Sequence, residues 1–153
     1  MRMTSFLNRG AITPKLAAGT RDEAIAELVR SLHAAGAFET SQLPDIIAAV
    51  LRREQLGSTG IGQGVAIPHS RHSSVGQLVG AMGLCSNPEG IAFDAIDGEP
   101  VHVLVLLISP QDQPGPHLRA LDCVVQAFKD GELLKRLKTC TTPDEIWNLI
   151  SES

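Results

Sequence analysis

Tyrosine is absent from this chain, tryptophan occurs once and phenylalanine four times. So few aromatic rings leave little from which to build the stacking platforms that hold single-stranded nucleic acid. Cations are in deficit too: 13 Lys and Arg against 17 Asp and Glu give a formal charge of -4, which argues against binding driven by phosphate-backbone contacts. Neither observation favours a nucleic-acid partner. Cysteine is scarce. Cys85, Cys123 and Cys140 are odd in number and widely spaced, so they fit neither a disulfide framework nor a CxxC metal site, and they suggest a reducing compartment. No run approaches the ~18 apolar residues that span a bilayer. The segment from Met1 to Arg9 lacks the apolar stretch of a signal peptide. The expectation is a cytoplasmic protein without membrane insertion.

What remains is an ordinary globular composition. Of 153 residues, 43% are hydrophobic and 20% charged, which supplies a real core and predicts a single domain over residues 1–153. Thr20-Arg21-Asp22-Glu23 reads as a capping box, opening a helix with Ile25, Leu28, Val29 and Leu32 on one face and Gly36 at its end. Leu43, Ile46, Ile47, Val50 and Leu51 predict a second helix from about Ser41. Leu78 to Cys85 reads as a strand, Ile91 to Phe93 as a short strand between turns, and Val101 to Ile108 as a central strand covered on both faces. Pro116 suits the first helical position, which places His117 in the first turn and sets Leu118, Leu121, Val125 and Phe128 towards the core. Leu133 to Leu137 and the segment capped by Thr142 predict two further helices. Helices flanking a buried sheet predict an α/β layered sandwich.

The stretch Gly57-Ser58-Thr59-Gly60-Ile61-Gly62-Gln63-Gly64-Val65-Ala66-Ile67-Pro68-His69 concentrates the chemistry. A glycine-rich turn leads through a short apolar strand to a histidine whose approach is stiffened by Pro68. His117 lies after a polar loop, at a predicted helix N-terminus, where unsatisfied N–H groups favour anions. A neutral imidazole is a good nucleophile near pH 7, so two such histidines suggest phosphoryl transfer through a phosphohistidine. Spacing alone does not bring them together, and without further signal it favours two partly buried, hydrogen-bonded structural histidines. His72 and His117 around His69 raise a zinc reading, but no cysteine or carboxylate stands at ligand spacing, so no metal is expected. The loop lacks a P-loop lysine and the chain has no G-x-S-x-G elbow. His33 and His102 sit within apolar elements and read as structural.

Three segments resemble one family. Arg53-Glu54-Gln55-Leu56 followed by the Gly57–His69 stretch is similar to the phosphorylation-site signature of enzyme IIA domains of the bacterial phosphoenolpyruvate-dependent phosphotransferase system, in the fructose/mannitol/nitrogen-regulatory class. Ile91-Ala92-Phe93-Asp94-Ala95-Ile96-Asp97-Gly98-Glu99-Pro100-Val101 resembles the class's strand-turn-strand segment, and Pro116-His117-Leu118-Arg119-Ala120-Leu121 its HLxxL segment. The Ser58-Thr59-Gly60-Ile61-Gly62 wording is closest to the nitrogen-regulatory branch. The resemblance implies a three-layer α/β/α sandwich around a mixed sheet and a reaction without metal or organic cofactor. It implies that His69 accepts a phosphoryl group from an HPr-type phosphocarrier, with His117 and Arg53 stabilising the transferring oxygens. Ser58, Thr59, Gly60 and Ser70 are candidates for holding that group. Ser70 stands where many members have glycine, and Gly115-Pro116 differs from the more polar residues of some nitrogen-branch members. The onward partner is a regulatory target or a permease component. The rivals are a non-catalytic interaction module and a stand-alone sugar-permease IIA component.

Overall fold

A computed structural model describes residues 1–152 of the chain. The strand β6 (Val103–Ser109) is buried along its whole length and organises everything else. Its side chains alternate between two cores, as the period of a strand requires. Val103, Val105 and Leu107 join Val124, Phe128, Leu137 and Ile146 on one face. Leu104, Leu106 and Ile108 join Ile25, Leu28, Ile46 and Val50 on the other. Helices α1 (Arg21–Ala34) and α2 (Leu43–Leu56) therefore cover one side of the sheet. Helices α3 (Pro114–Ala127), α4 (Glu132–Leu137) and α5 (Pro143–Ser151) cover the other. The sandwich has three layers around a mixed sheet, as expected.

Six strands make the sheet. In order, β1 (Leu7–Leu16) pairs parallel with β5 (Val79–Cys85), β5 antiparallel with β6, β6 parallel with β3 (Val65–Ala66), and β3 antiparallel with β2 (Gly60–Gly62). The sixth, β4 (His69–Arg71), also runs parallel to β6. Val65 faces Val103 and His69 faces Leu107, so β3 and β4 share one register and form a single line broken at Ile67-Pro68. Pro68 has no N–H to give the ladder, but its carbonyl still accepts from Leu107 N at 3.0 Å.

Several expectations need correction. No element was predicted for residues 7–16, which form the edge strand β1. Gly10 and Pro14 lie within it and its register with β5 shifts twice, so no clean alternation marks the sequence. Helix α3 starts at Pro114, two residues before the proposed Pro116, and His117 sits at the end of its first turn. Its buried stripe is His117, Ala120, Val124 and Phe128, while Leu118 is 65% exposed and Val125 38% exposed. A titratable residue takes the core-facing position there, which shifts the true stripe one residue from the most apolar one. Ile91 and Val101 form an isolated bridge in place of a short strand. At the start of α1, Thr20 accepts from Glu23 N, but the Glu23 carboxylate meets the Thr20 hydroxyl and not its backbone. The reciprocal box is complete at Thr142 and Glu145.

Candidate active site

The loop after α2 is braced from within. Glu54 continues the buried Ile46–Val50 stripe of α2 at 2% exposure. A carboxylate there needs partners, and Thr59 supplies two: its N–H at 2.7 Å and its hydroxyl at 2.6 Å. Ser58 Oγ donates to Phe93 O and accepts from Gly60 N at 3.0 Å. Gly60 admits the close approach of the 94–99 loop, since a Cβ there would lie 2.8 Å from Ala95 Cβ. The chain then reverses at Gln63-Gly64, where both residues have positive φ, 58° and 80°, as a two-residue hairpin turn of the primed type requires. Ile67 N donates to Thr59 O at 3.0 Å. The strand that delivers His69 is thus tied to the end of α2.

His69 is half-buried at the start of β4. Its Nδ1 lies 2.7 Å from Ile67 O. A carbonyl can only accept, so Nδ1 carries the proton and Nε2 keeps the lone pair. The His117 ring stands edge-on to it, with centroids 5.3 Å apart and planes at 60°. His117 Nδ1 shares a hydrogen bond with Ser109 Oγ, a hydroxyl at the end of β6 that is fully buried. Strand pairing explains the meeting. His69 and Arg71 lie opposite Leu107 and Ser109, on the side of the sheet that α3 covers.

Both rings are held neutral. Burial, then the charge of Arg53, outweighs the hydrogen bond to Ile67 and the nearby Glu54 carboxylate, so the His69 pKa is lowered. Burial first, then His69 and Arg71, pushes His117 down to about 4. Arg53 Nη1 donates to Gly57 O at 2.8 Å. Arg71 Nη1 reaches Gln111 O at 3.5 Å. The geometry brings a free imidazole nitrogen, a second imidazole and cationic side chains to one place.

The remaining expected residues are placed as follows. The polar contacts of the Ser58 and Thr59 side chains and of Gly60 N all lie within the frame that braces the loop. Ser70, half-buried beside His69, donates its hydroxyl to Arg71 O at 3.2 Å. His72 is buried, with Nε2 on Asp45 Oδ2 and Nδ1 2.7 Å from Ser74 Oγ. Among the described residues no three His, Cys, Asp or Glu groups cluster as metal ligands. Sequence reasoning missed Ser109, Glu54 and Arg71. Signals existed: Glu54 falls four residues after Val50 on the buried stripe, and Arg71 falls two after His69 on the same strand face.

Comparisons with known proteins give the chain a family and a fold. The sequence model of the family described as "Phosphoenolpyruvate-dependent sugar phosphotransferase system, EIIA 2" matches residues 5–153. The nitrogen regulatory protein of Escherichia coli K12 is 33% identical over 155 residues, covering 100% of this chain and 91% of that protein. The 2-O-alpha-mannosyl-D-glycerate-specific EIIABC component of the same organism is 30% identical over 154 residues, covering 99% of this chain and 23% of that protein. The crystal structure of the nitrogen regulatory protein IIA-Ntr from Neisseria meningitidis superposes with a TM-score of 0.83 at 31% identity, covering 95% of this chain and 97% of that one.

Proposed function

The chain belongs to the EIIA 2 family of the phosphoenolpyruvate-dependent phosphotransferase system, and on that premise we propose that it is a cytoplasmic phosphocarrier with His69 as the phosphoryl acceptor. The observation that carries the reading is the free Nε2 of His69, left available because Nδ1 is committed to Ile67 O. Nε2 attacks the phosphorus of a phosphohistidine on an HPr-type carrier. The new N–P bond forms as the donor's N–P bond breaks, and that electron pair returns to the donor ring. The Nδ1 proton stays on His69, where Ile67 O supports the charge that the ring acquires.

His117 stabilises the transferring oxygens in this scheme. With the Ser109 hydroxyl donating to its Nδ1, its Nε2–H is the donor available to a phosphoryl oxygen. Arg53 and Arg71 add positive potential where negative charge concentrates. Ser58, Thr59 and Gly60 act as positioning residues through the loop, and Ser70 borders the group. The full-length likeness to nitrogen regulatory proteins supports a regulatory protein as the onward partner.

The test is direct. The purified chain is incubated with phosphoenolpyruvate, enzyme I and an HPr-type carrier, and its intact mass is read under non-acidic conditions. One acid-labile phosphoryl group, absent in His69→Ala, is expected. Full labelling of His69→Ala would sink the assignment.

A further inference from the structure

Beside His69 a surface depression of about 640 Å³ runs between the end of α2 and β4. Arg52, Arg53 and Arg71 open onto it, and among the described residues Asp45 is the one carboxylate in its lining. Asp45 is already engaged by His72 Nε2. Among the described residues none of the three guanidiniums forms an ion pair. Three cations against one carboxylate make this depression positive on a chain whose formal charge is -4. Leu56 sits on its rim at 86% exposure. Unpaired guanidiniums around an exposed aliphatic side chain form a surface that an acidic partner face with an apolar contact point completes.

We propose that this depression selects the phosphoryl donor by charge: the carrier that docks here presents Asp and Glu side chains beside its phosphohistidine, and Arg52 reads them. The inference rests on the phosphocarrier reading above and names the kind of partner that reading requires. Arg53 and Arg71 lie close enough to the histidines to act on the phosphoryl group as well. Arg52 is exposed, and among the described residues it forms no hydrogen bond or ion pair. Its field acts on Asp45. It is therefore the residue that separates docking from chemistry. Steering of this kind accelerates encounter and is weakened by salt.

The test compares two donors. Phosphoramidate labels an accessible histidine without docking, whereas HPr-type carriers must dock. With the fastest carrier of a panel, added salt should slow labelling, and Arg52→Glu should lower kcat/KM about tenfold with kcat nearly unchanged. Labelling by phosphoramidate should be the same in both proteins. A carrier variant with a rim Glu changed to Lys should recover rate with Arg52→Glu. If carrier labelling is indifferent to salt, or Arg52→Glu is as fast as wild type or faster, the docking inference is overturned while the phosphocarrier reading stands. Phosphoramidate labelling with none from any carrier also counts against docking at this face. If phosphoramidate fails to label His69 as well, the phosphocarrier reading falls and takes the inference with it.

Discussion

His117 stands edge-on to His69 at 5.3 Å, and each ring is tied to the protein through its Nδ1. Two anchors, Ile67 O in the break between β3 and β4 and Ser109 Oγ at the end of β6, therefore fix which nitrogen of each imidazole is free. The pair is a product of sheet register, because β4 and β6 run parallel with His69 opposite Leu107 and Arg71 opposite Ser109.

Acid should weaken this protein through its histidine pair. The unfolded ring titrates at about 6.5, whereas burial holds folded His117 at about 4 and lowers His69 as well. Between those values the unfolded chain binds more protons, so stability falls as pH drops from about 6.5 to about 4. The contribution of His117 is on the order of 2 kcal/mol once partial solvent screening is allowed for. Above about 6.5 both states are neutral and these groups impose no pH dependence. Denaturation midpoints across this range, for wild type and His117→Asn, check the expectation. An equally steep acid loss in the variant would assign it elsewhere.

Ser109→Ala should damage both stability and phosphoryl acceptance. Removing the hydroxyl leaves a buried imidazole nitrogen unpartnered, at a cost of about 1–3 kcal/mol. The His117 ring then loses the contact that sets its orientation, and labelling of His69 should slow about tenfold or more. Ser109→Thr keeps the hydroxyl and should recover part of both. Denaturant titration and labelling time courses read the two effects separately. A wild-type labelling rate in Ser109→Ala would remove Ser109 from the site.

Gly60→Ala should destabilise by overpacking. The added Cβ meets Ala95 Cβ at 2.8 Å and Ala95 Cα at 3.1 Å, a conflict of the kind that costs about 1–3 kcal/mol. Because the clash is with one methyl group and the backbone behind it, Ala95→Gly should relieve most of the strain. A double-mutant cycle by denaturation tests this, and additive losses would place the strain outside the Gly60–Ala95 contact.

The sequence showed the helices and the central strand plainly, because β6 is nearly all apolar and α1 and α2 carry regular stripes. Edge strand β1 was hidden: Gly10 and Pro14 lie within it, and its shifting register erases alternation. The stripe of α3 was misread by one residue for a related reason. Burial there follows the chemistry of His117, while hydrophobicity points to Leu118. At the candidate site, the motifs single out His69, His117 and Arg53, and the fold brings the two rings together. Ser109 was not, since a serine ending an apolar strand looks like a solvent-facing terminus until α3 closes over it. The Ser58 and Thr59 hydroxyls read as ligand donors in sequence, and only folding shows that they meet Phe93 O and Glu54.

Neighbouring residues of opposite charge should move the titration of His69 in opposite directions. The Arg53 guanidinium disfavours the imidazolium and lowers the His69 pKa, while the Glu54 carboxylate favours it. Arg53→Gln should therefore raise the midpoint of His69 above the wild-type value, and Glu54→Gln should lower it further. Glu54→Gln keeps the side-chain shape, whereas Arg53→Gln shortens the side chain and gives up its bond to Gly57 O, so the opposite signs of the two shifts are what report charge. Glu54→Gln adds a structural cost, because its amide can accept only through one atom while Thr59 offers two donors. That cost is separable, since denaturation reads it and the titration of the folded protein does not. Proton NMR of the His69 ring across the acid range measures both midpoints. Shifts in the same direction would show that packing around the loop, and not the field of these two charges, sets the protonation of His69.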